Sequence, residues 1–336
     1  MNIKTITAVF AVLALAALLP GCERTNRRAG DGRLRVVATI FPQFDFVRQI
    51  AGDRVELTML LSPGAESHGF EPTPRDIITI NNADLLVYVG GHGDTWVAPI
   101  LASLGRNDMR VVALLDLVDA VQQELVEGME IYHHHGHHHH DHGHHGHDHH
   151  AHHDHHAHHE PHYDEHVWTC PRNAVLIVRA LTEVLAELDP DNAYYFRQNA
   201  AAFTAELGEL DRAFAGAVAG AARNTVVFGD RFPFRYLTDT YGLTYFAAFT
   251  GCSAETQASP ATIAFLIETV RREQIPVVFY IQFSNRFIAN VIAEATGARL
   301  MELHSLHNVS PADFAAGVTF LDLMHRNAET LREALN

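Results

Sequence analysis

Cysteine is scarce: three residues in 336, one of them (Cys22) directly behind an apolar N-terminal run. A disulfide framework is therefore excluded. Cys170 and Cys252 permit one bridge in an oxidising compartment, and two free buried thiols fit equally well. Long apolar runs are also missing. After Leu19 no segment is long and apolar enough to span a bilayer. Basic residues are in deficit, with 24 Lys and Arg against 40 Asp and Glu and a formal net charge of −16. Such a surface repels nucleic acid, whose affinity for proteins rests on phosphate neutralisation. Histidine is the one abundant titratable residue, at 26. With a reference pKa near 6.5, these side chains make the real charge strongly dependent on pH.

The N-terminus "MNIKTITAVFAVLALAALLPGC" carries one lysine, an apolar run from Ile6 to Leu19, and then Pro20-Gly21-Cys22. It is too short and wrongly flanked for a transmembrane helix and has the form of a secretory signal. Cysteine directly after a small residue is the bacterial lipoprotein pattern. The expectation is a signal peptide over 1–21, cleavage before Cys22, lipidation of its thiol by more than one acyl chain, and a tether over 22–32. The mature chain is then extracytoplasmic and lipid-anchored to the cell envelope.

About 315 residues remain, enough for two cores. β-branched runs bounded by turn residues predict strands over Arg33–Ile40, Val55–Leu61, Ala83–Gly90 and Val111–Leu117. A second set follows at Asn224–Asp230, Leu243–Phe249, Val277–Phe283 and Arg299–Ser305. Helical patterns lie between them, at Pro74–Asn82, Thr95–Gly105, Pro260–Glu273 and Asn285–Gly297. Strand and helix in alternation predict an α/β fold of two lobes, each a roughly four-stranded parallel sheet flanked by helices. The segment from Pro190 keeps helical apolar spacing to about Val218. It predicts one long rigid helix over 191–220 joining a first lobe (33–190) to a second (221–336). Two helices broken near Gly208 are the alternative.

Twenty-one of the histidines fall between His133 and His166. The run 133–162, which includes His133, His137, His142, His149, His155 and His162, is interleaved with Asp, Gly and Ala, is poorly hydrophobic, and lacks periodicity. It cannot bury a core and reads as a mobile loop. Its two readings are a zinc-collecting element made of many weak sites and a tolerated low-complexity insertion.

Outside that region there are five histidines: His68, His92, His304, His307 and His325. In open parallel sheets ligands bind beyond the carboxyl ends of the strands. His68 follows the strand ending at Leu61, His166 the strand ending at Leu117, and His304 ends the last strand. Three imidazoles from two lobes thus reach one edge, a donor set that suits Zn²⁺. Nothing resembles H-E-x-x-H, and spacing places no acid–base residue beside these three, so the chain does not read as an enzyme.

Several stretches resemble the zinc and manganese solute-binding lipoproteins of ABC importers, a group that takes in adhesion-type metal-binding lipoproteins. The resemblance covers nearly the whole mature chain. "ATIFPQFDFVRQIAGDRVEL" is similar to the family's first strand and helix, and "PGAESHGFEPTPRD" to its first ligand loop. "DEHVWTCPRNA" is similar to its second ligand motif, and "LDPDNAYYFRQNAAAF" to the start of its backbone helix. His68 and His166 carry over as ligands.

The second lobe departs from the family pattern. Where members place a His or Glu ligand, "FGDRFPFRYLTDTYGL" has Arg231. A guanidinium has no lone pair to give, so Arg231 is expected to fix a carboxylate near the site, Asp230 or Glu255. The family's late aspartate matches His304. The expected set is His68, His166, His304 and a fourth donor. Glu255 is the first choice for that donor, with Asp230, His92, His307 and water as competitors. An imidazole-rich set favours zinc over manganese, with nickel or cobalt the minority alternative.

The resemblance implies a monomer that takes Zn²⁺ as transported ligand and delivers it to an ABC permease and its ATPase. A zinc buffer or chaperone without a transporter is the rival reading.

Overall fold

In a computed structural model, the chain is described over residues 32–67, 69–106, 108–129, 162–251 and 258–336. The signal peptide, Cys22, His68, the run 133–161, Cys252 and Glu255 lie outside the described residues.

The first sheet is built from β1 (Leu34–Ala38), β2 (Val55–Met59), β3 (Leu85–Tyr88) and β4 (Arg110–Ala113), all parallel, in the order β2-β1-β3-β4. Between them run α1 (Phe41–Ala51), α2 (Pro74–Asn81) and α3 (Val97–Leu104). The second sheet is built from β5 (Thr225–Phe232), β6 (Thr244–Thr250), β7 (Val277–Tyr280) and β8 (Arg299–Glu302) in the equivalent order β6-β5-β7-β8. The central strands β1, β3, β5 and β7 are almost continuously buried because helices cover both faces, whereas edge strand β2 alternates buried and more exposed residues.

Two four-stranded parallel sheets are what the sequence pattern predicts, with differences at the strand ends. The strand expected over Val111–Leu117 ends at Ala113, its last pairing being with Tyr88, and the apolar run tightens into a 3-10 turn at Leu114–Leu117.

Two helices link the lobes. After α4 (Pro171–Leu188), α5 runs unbroken from Ala193 to Val218, 26 residues, so Gly208 does not interrupt it. At 1.5 Å per residue it is about 39 Å long. Its buried stripe is Phe196, Ala200, Phe203, Leu207, Leu210, Phe214 and Ala217, alternating steps of four and three. It packs on α1 and α4 of the first lobe. On the other side it packs on α10 (Phe320–Leu335), which follows α6 (Arg235–Tyr241), α7 (Pro260–Arg272), α8 (Phe287–Thr296) and α9 (Pro311–Ala315) and which the sequence reading did not single out. The C-terminal segment then returns to the first lobe. Phe320 N–H donates to the buried Asp45 at 2.6 Å, Arg48 pairs with the same carboxylate, and the Phe46 and Phe320 rings meet at 4.8 Å. One continuous core cluster therefore runs through both lobes. Hinge opening would expose it, so the lobes are held as one stiff frame.

Candidate metal centre

The loops after β1, β2 and β4 meet those after β6 and β8. Backbone bonds join them directly: Phe41 N–H donates to the His307 carbonyl at 3.2 Å, and Gly64 N–H to the Val309 carbonyl at 2.8 Å. The Asn308 amide clasps the loop after β2 by donating to the carbonyls of Ser62 (2.7 Å) and Ala65 (2.9 Å). That loop is the one that carries His68.

His166 stands at the mouth of a short 3-10 turn, Val167–Thr169, and is 1 % exposed. Asp164 fixes it twice: its Oδ1 accepts the His166 backbone N–H at 2.9 Å and lies 2.8 Å from the ring Nδ1. A carboxylate on Nδ1 keeps the proton there and leaves the Nε2 lone pair for a metal. The carboxylate carrier is itself held, since Asp164 N–H donates to the Val121 carbonyl and Tyr236 Oη–H to the Asp164 carbonyl. Gly251 closes the other side. A Cβ there would lie 2.6 Å from His166 Cε1 and 2.7 Å from the Phe232 carbonyl, so only glycine fits without displacement.

The imidazole facing His166 is that of His307. The ring centroids are 4.8 Å apart and the planes nearly perpendicular at 82°. Trp168 backs both rings, 5.5 Å from His166 and 5.0 Å from His307, and its Nε1–H donates to the Ser305 carbonyl at 2.9 Å. His307 Nδ1 is 2.7 Å from Ser305 Oγ, which also accepts the Gln282 amide at 2.6 Å. With a metal on Nε2, Nδ1–H would donate to that hydroxyl, whose two lone pairs can take both bonds.

His304, expected beside His166, makes its described contacts with other groups. Its Nδ1 accepts the Leu306 N–H at 3.0 Å, its backbone is held at both N–H and carbonyl by Asn327 of α10, and Asp313 and Arg326 are its charged neighbours. Burial pushes its pKa down to about 4. Leu306, between the two histidines, takes the left-handed conformation (φ 65°).

The remaining expected residues divide. Arg231 Nη1 is 3.7 Å from Glu66, a residue of the first-lobe ligand loop that sequence reasoning passed over, so the guanidinium bridges the lobes. Asp230 is buried and accepts N–H groups from Arg231 (2.8 Å) and Ile281 (3.3 Å), which ties the loop after β7 to β5. Burial raises its pKa. His92 is exposed and stands beside His162 with centroids 5.8 Å apart. Cys170 is a buried free thiol with Sγ 3.2 Å from Thr240 Oγ1.

Asp164, Trp168, Ser305, Gln282 and Gly251 were not singled out in the sequence. Only Asp164 left a trace there, as an acid two residues before the histidine in "YDEHVW".

Two stiffly joined α/β lobes, with an oriented histidine from one facing a histidine of the other across their junction, define the class of fold. The chain belongs to the family described as zinc-uptake complex component A, periplasmic (ZnuA), which it matches over residues 36–334. It is similar to the zinc-binding lipoprotein AdcA of Streptococcus pneumoniae R6, 30% identical over 335 residues, which cover 98% of this chain and 61% of that protein. It thus spans about three fifths of the length of that relative. It is also similar to the high-affinity zinc uptake system protein ZnuA of Bacillus subtilis, 28% identical over 99% of this chain and 98% of that one. Among solved structures, the Zn(II)-bound ZnuA-like domain of Streptococcus pneumoniae AdcA superposes with a TM-score of 0.70 at 26% identity, covering 90% of this chain and 99% of the domain.

Proposed function

We propose that this protein is the extracytoplasmic zinc-binding component of an ABC importer, that it captures Zn²⁺ between its lobes, and that it delivers the ion to a membrane permease with its ATPase. The observation that carries this reading is the His166–His307 pair across the lobe junction, 4.8 Å between ring centroids. Two imidazoles sharing a tetrahedral Zn²⁺ at 2.0–2.1 Å hold their centroids about 5 Å apart. His166, His307 and His68 form the proposed imidazole set, and Glu255 remains the first choice for a fourth donor. His304 serves as a support of the loop. Family membership and the zinc-related names of the relatives support zinc as the cargo, and the all-imidazole core of the set agrees with it.

The N-terminal pattern supports export and lipid anchoring through Cys22. The stiff frame supports capture with small motions, and release then requires that a second-lobe donor, His307, be pulled away on docking. The run 133–162 serves as a collecting element and not as the tight site.

Chelator-competition titration of the full mature chain with Zn²⁺ tests the reading. One tight equivalent is expected in wild type, lost in His166→Ala and in His307→Ala and kept in His304→Gln. A tight equivalent surviving in the His166→Ala/His307→Ala pair would overturn it.

A further inference from the structure

The Arg231 guanidinium is walled in at the lobe junction without a full set of acceptors. Its side chain is 11 % exposed, and Nε is buried with no hydrogen-bond partner among the described residues. The nearest carboxylates do not answer it. Asp230 is turned to backbone N–H groups, those of Arg231 (2.8 Å) and Ile281 (3.3 Å). Glu66, 3.7 Å from Nη1 and half-exposed, is beyond hydrogen-bond length. We infer that Arg231 binds a small planar oxyanion, of the carboxylate or bicarbonate type, which enters the cleft with the cation and lies between the ion and the guanidinium.

The placement comes from both flanks. Phe232, the next residue of β5, has its carbonyl 2.7 Å from the point where a Gly251 Cβ would stand, and His166 Cε1 is 2.6 Å from the same point. Across the junction, Glu66 is two residues before His68. Arg231 is thus flanked by the two first-lobe loops that carry His68 and His166. A guanidinium stays protonated, and its planar fork matches the paired oxygens of such an anion. A buried N–H without an acceptor is costly, and an oxygen on Nε relieves that cost. The charges lead to the same ligand. Imidazole donors are neutral, so a dication held by His166 and His307 meets a permanent positive charge in surroundings that screen poorly. A carboxylate from Glu255 would still leave positive charge in excess. An anion in contact with both centres turns that repulsion into attraction, so cation and anion each tighten the binding of the other.

The inference rests on the cleft reading, and its test keeps the two apart. Zinc affinity of the full mature chain is measured by chelator competition, at matched ionic strength, in buffer freed of carbon dioxide and then with millimolar bicarbonate. The chelator sets the free Zn²⁺, so complexation of the ion in solution does not enter. Bicarbonate should raise the affinity of wild type by at least about 5-fold. Arg231→Gln should bind zinc at least as tightly as wild type without bicarbonate and show no rise with it. With Co²⁺ in place of Zn²⁺, bicarbonate should shift the visible absorption of wild type and leave that of Arg231→Gln unchanged. A merely structural Arg231 would instead lower affinity in both buffers on substitution, and that result would overturn the inference. So would a wild-type affinity indifferent to bicarbonate, which needs no variant to read. A tight equivalent absent from wild type in both buffers would refute the cleft reading itself.

Discussion

His307 of the second lobe lies edge-on to His166 of the first, with ring centroids 4.8 Å apart and planes at 82°. Each ring has its Nδ1 held, by Asp164 at 2.8 Å and by Ser305 at 2.7 Å, so Nε2 is the nitrogen each would turn to an ion. An ion that bonds both nitrogens bridges the lobes. Substituting either histidine by alanine should weaken zinc binding by at least about 100-fold, beyond the range produced by losing a supporting group alone. His304→Gln should leave affinity within about 10-fold, since that residue acts only through its neighbours. Competition with a chromophoric chelator measures all three.

Asp164→Asn separates orientation from ligation. The amide keeps the size and a hydrogen bond to His166, but it loses the charge that favours the Nδ1–H tautomer. Zinc affinity should fall about 10- to 100-fold with the far-ultraviolet circular dichroism unchanged. An unchanged affinity would show that the carboxylate does not set the tautomer.

Gly251→Ala is the steric test of the same ring. The added methyl would meet His166 Cε1 at 2.6 Å and the Phe232 carbonyl at 2.7 Å. Overpacking of this kind costs about 1–3 kcal/mol. The expected result is a lowered midpoint in chemical denaturation together with weaker zinc binding, because the ring is the part able to move.

Stability of the zinc-free protein should depend on His304. Its folded pKa, about 4, lies below the ordinary value of 6.5 because burial disfavours the imidazolium. Between those values the unfolded chain binds the proton and the folded one does not. Stability is therefore full above pH 6.5 and declines as pH falls toward 4, by at most about 3 kcal/mol. Urea unfolding in the presence of a chelator should show this slope in wild type. His304→Asn, which can still accept the Leu306 N–H, should show a flatter one.

Much of the architecture was legible along the chain because periodicity is a local property. Apolar β-branched runs such as Leu34–Ala38 and Val277–Tyr280 can only be buried strands, and helices between them force parallel pairing. The α5 stripe from Phe196 to Ala217 likewise announces one long helix, and Gly208 within it was tolerated because its neighbours along the stripe pack against both lobes. The expectation of export and anchoring rests only on a local pattern ending at Cys22.

The surroundings of the histidines were not legible in this way. The motif "LHSLHN" offers His304 and His307 three residues apart, with nothing in composition or spacing to rank them. The left-handed turn at Leu306, the Asn327 bonds from a helix more than twenty residues further on, and the Trp168 indole from the other lobe decided which ring faces His166. Arg231 shows the same limit: its chemistry excluded it as a ligand, yet its partner Glu66 became visible only where the lobes meet. Sequence by itself determined the two-sheet frame and the edge that His166 and His307 share, since periodicity and strand direction are carried by neighbours in the chain. Tertiary structure alone decided which side chains share that edge, because imidazole orientation is set by hydrogen bonds and packing between residues remote in sequence.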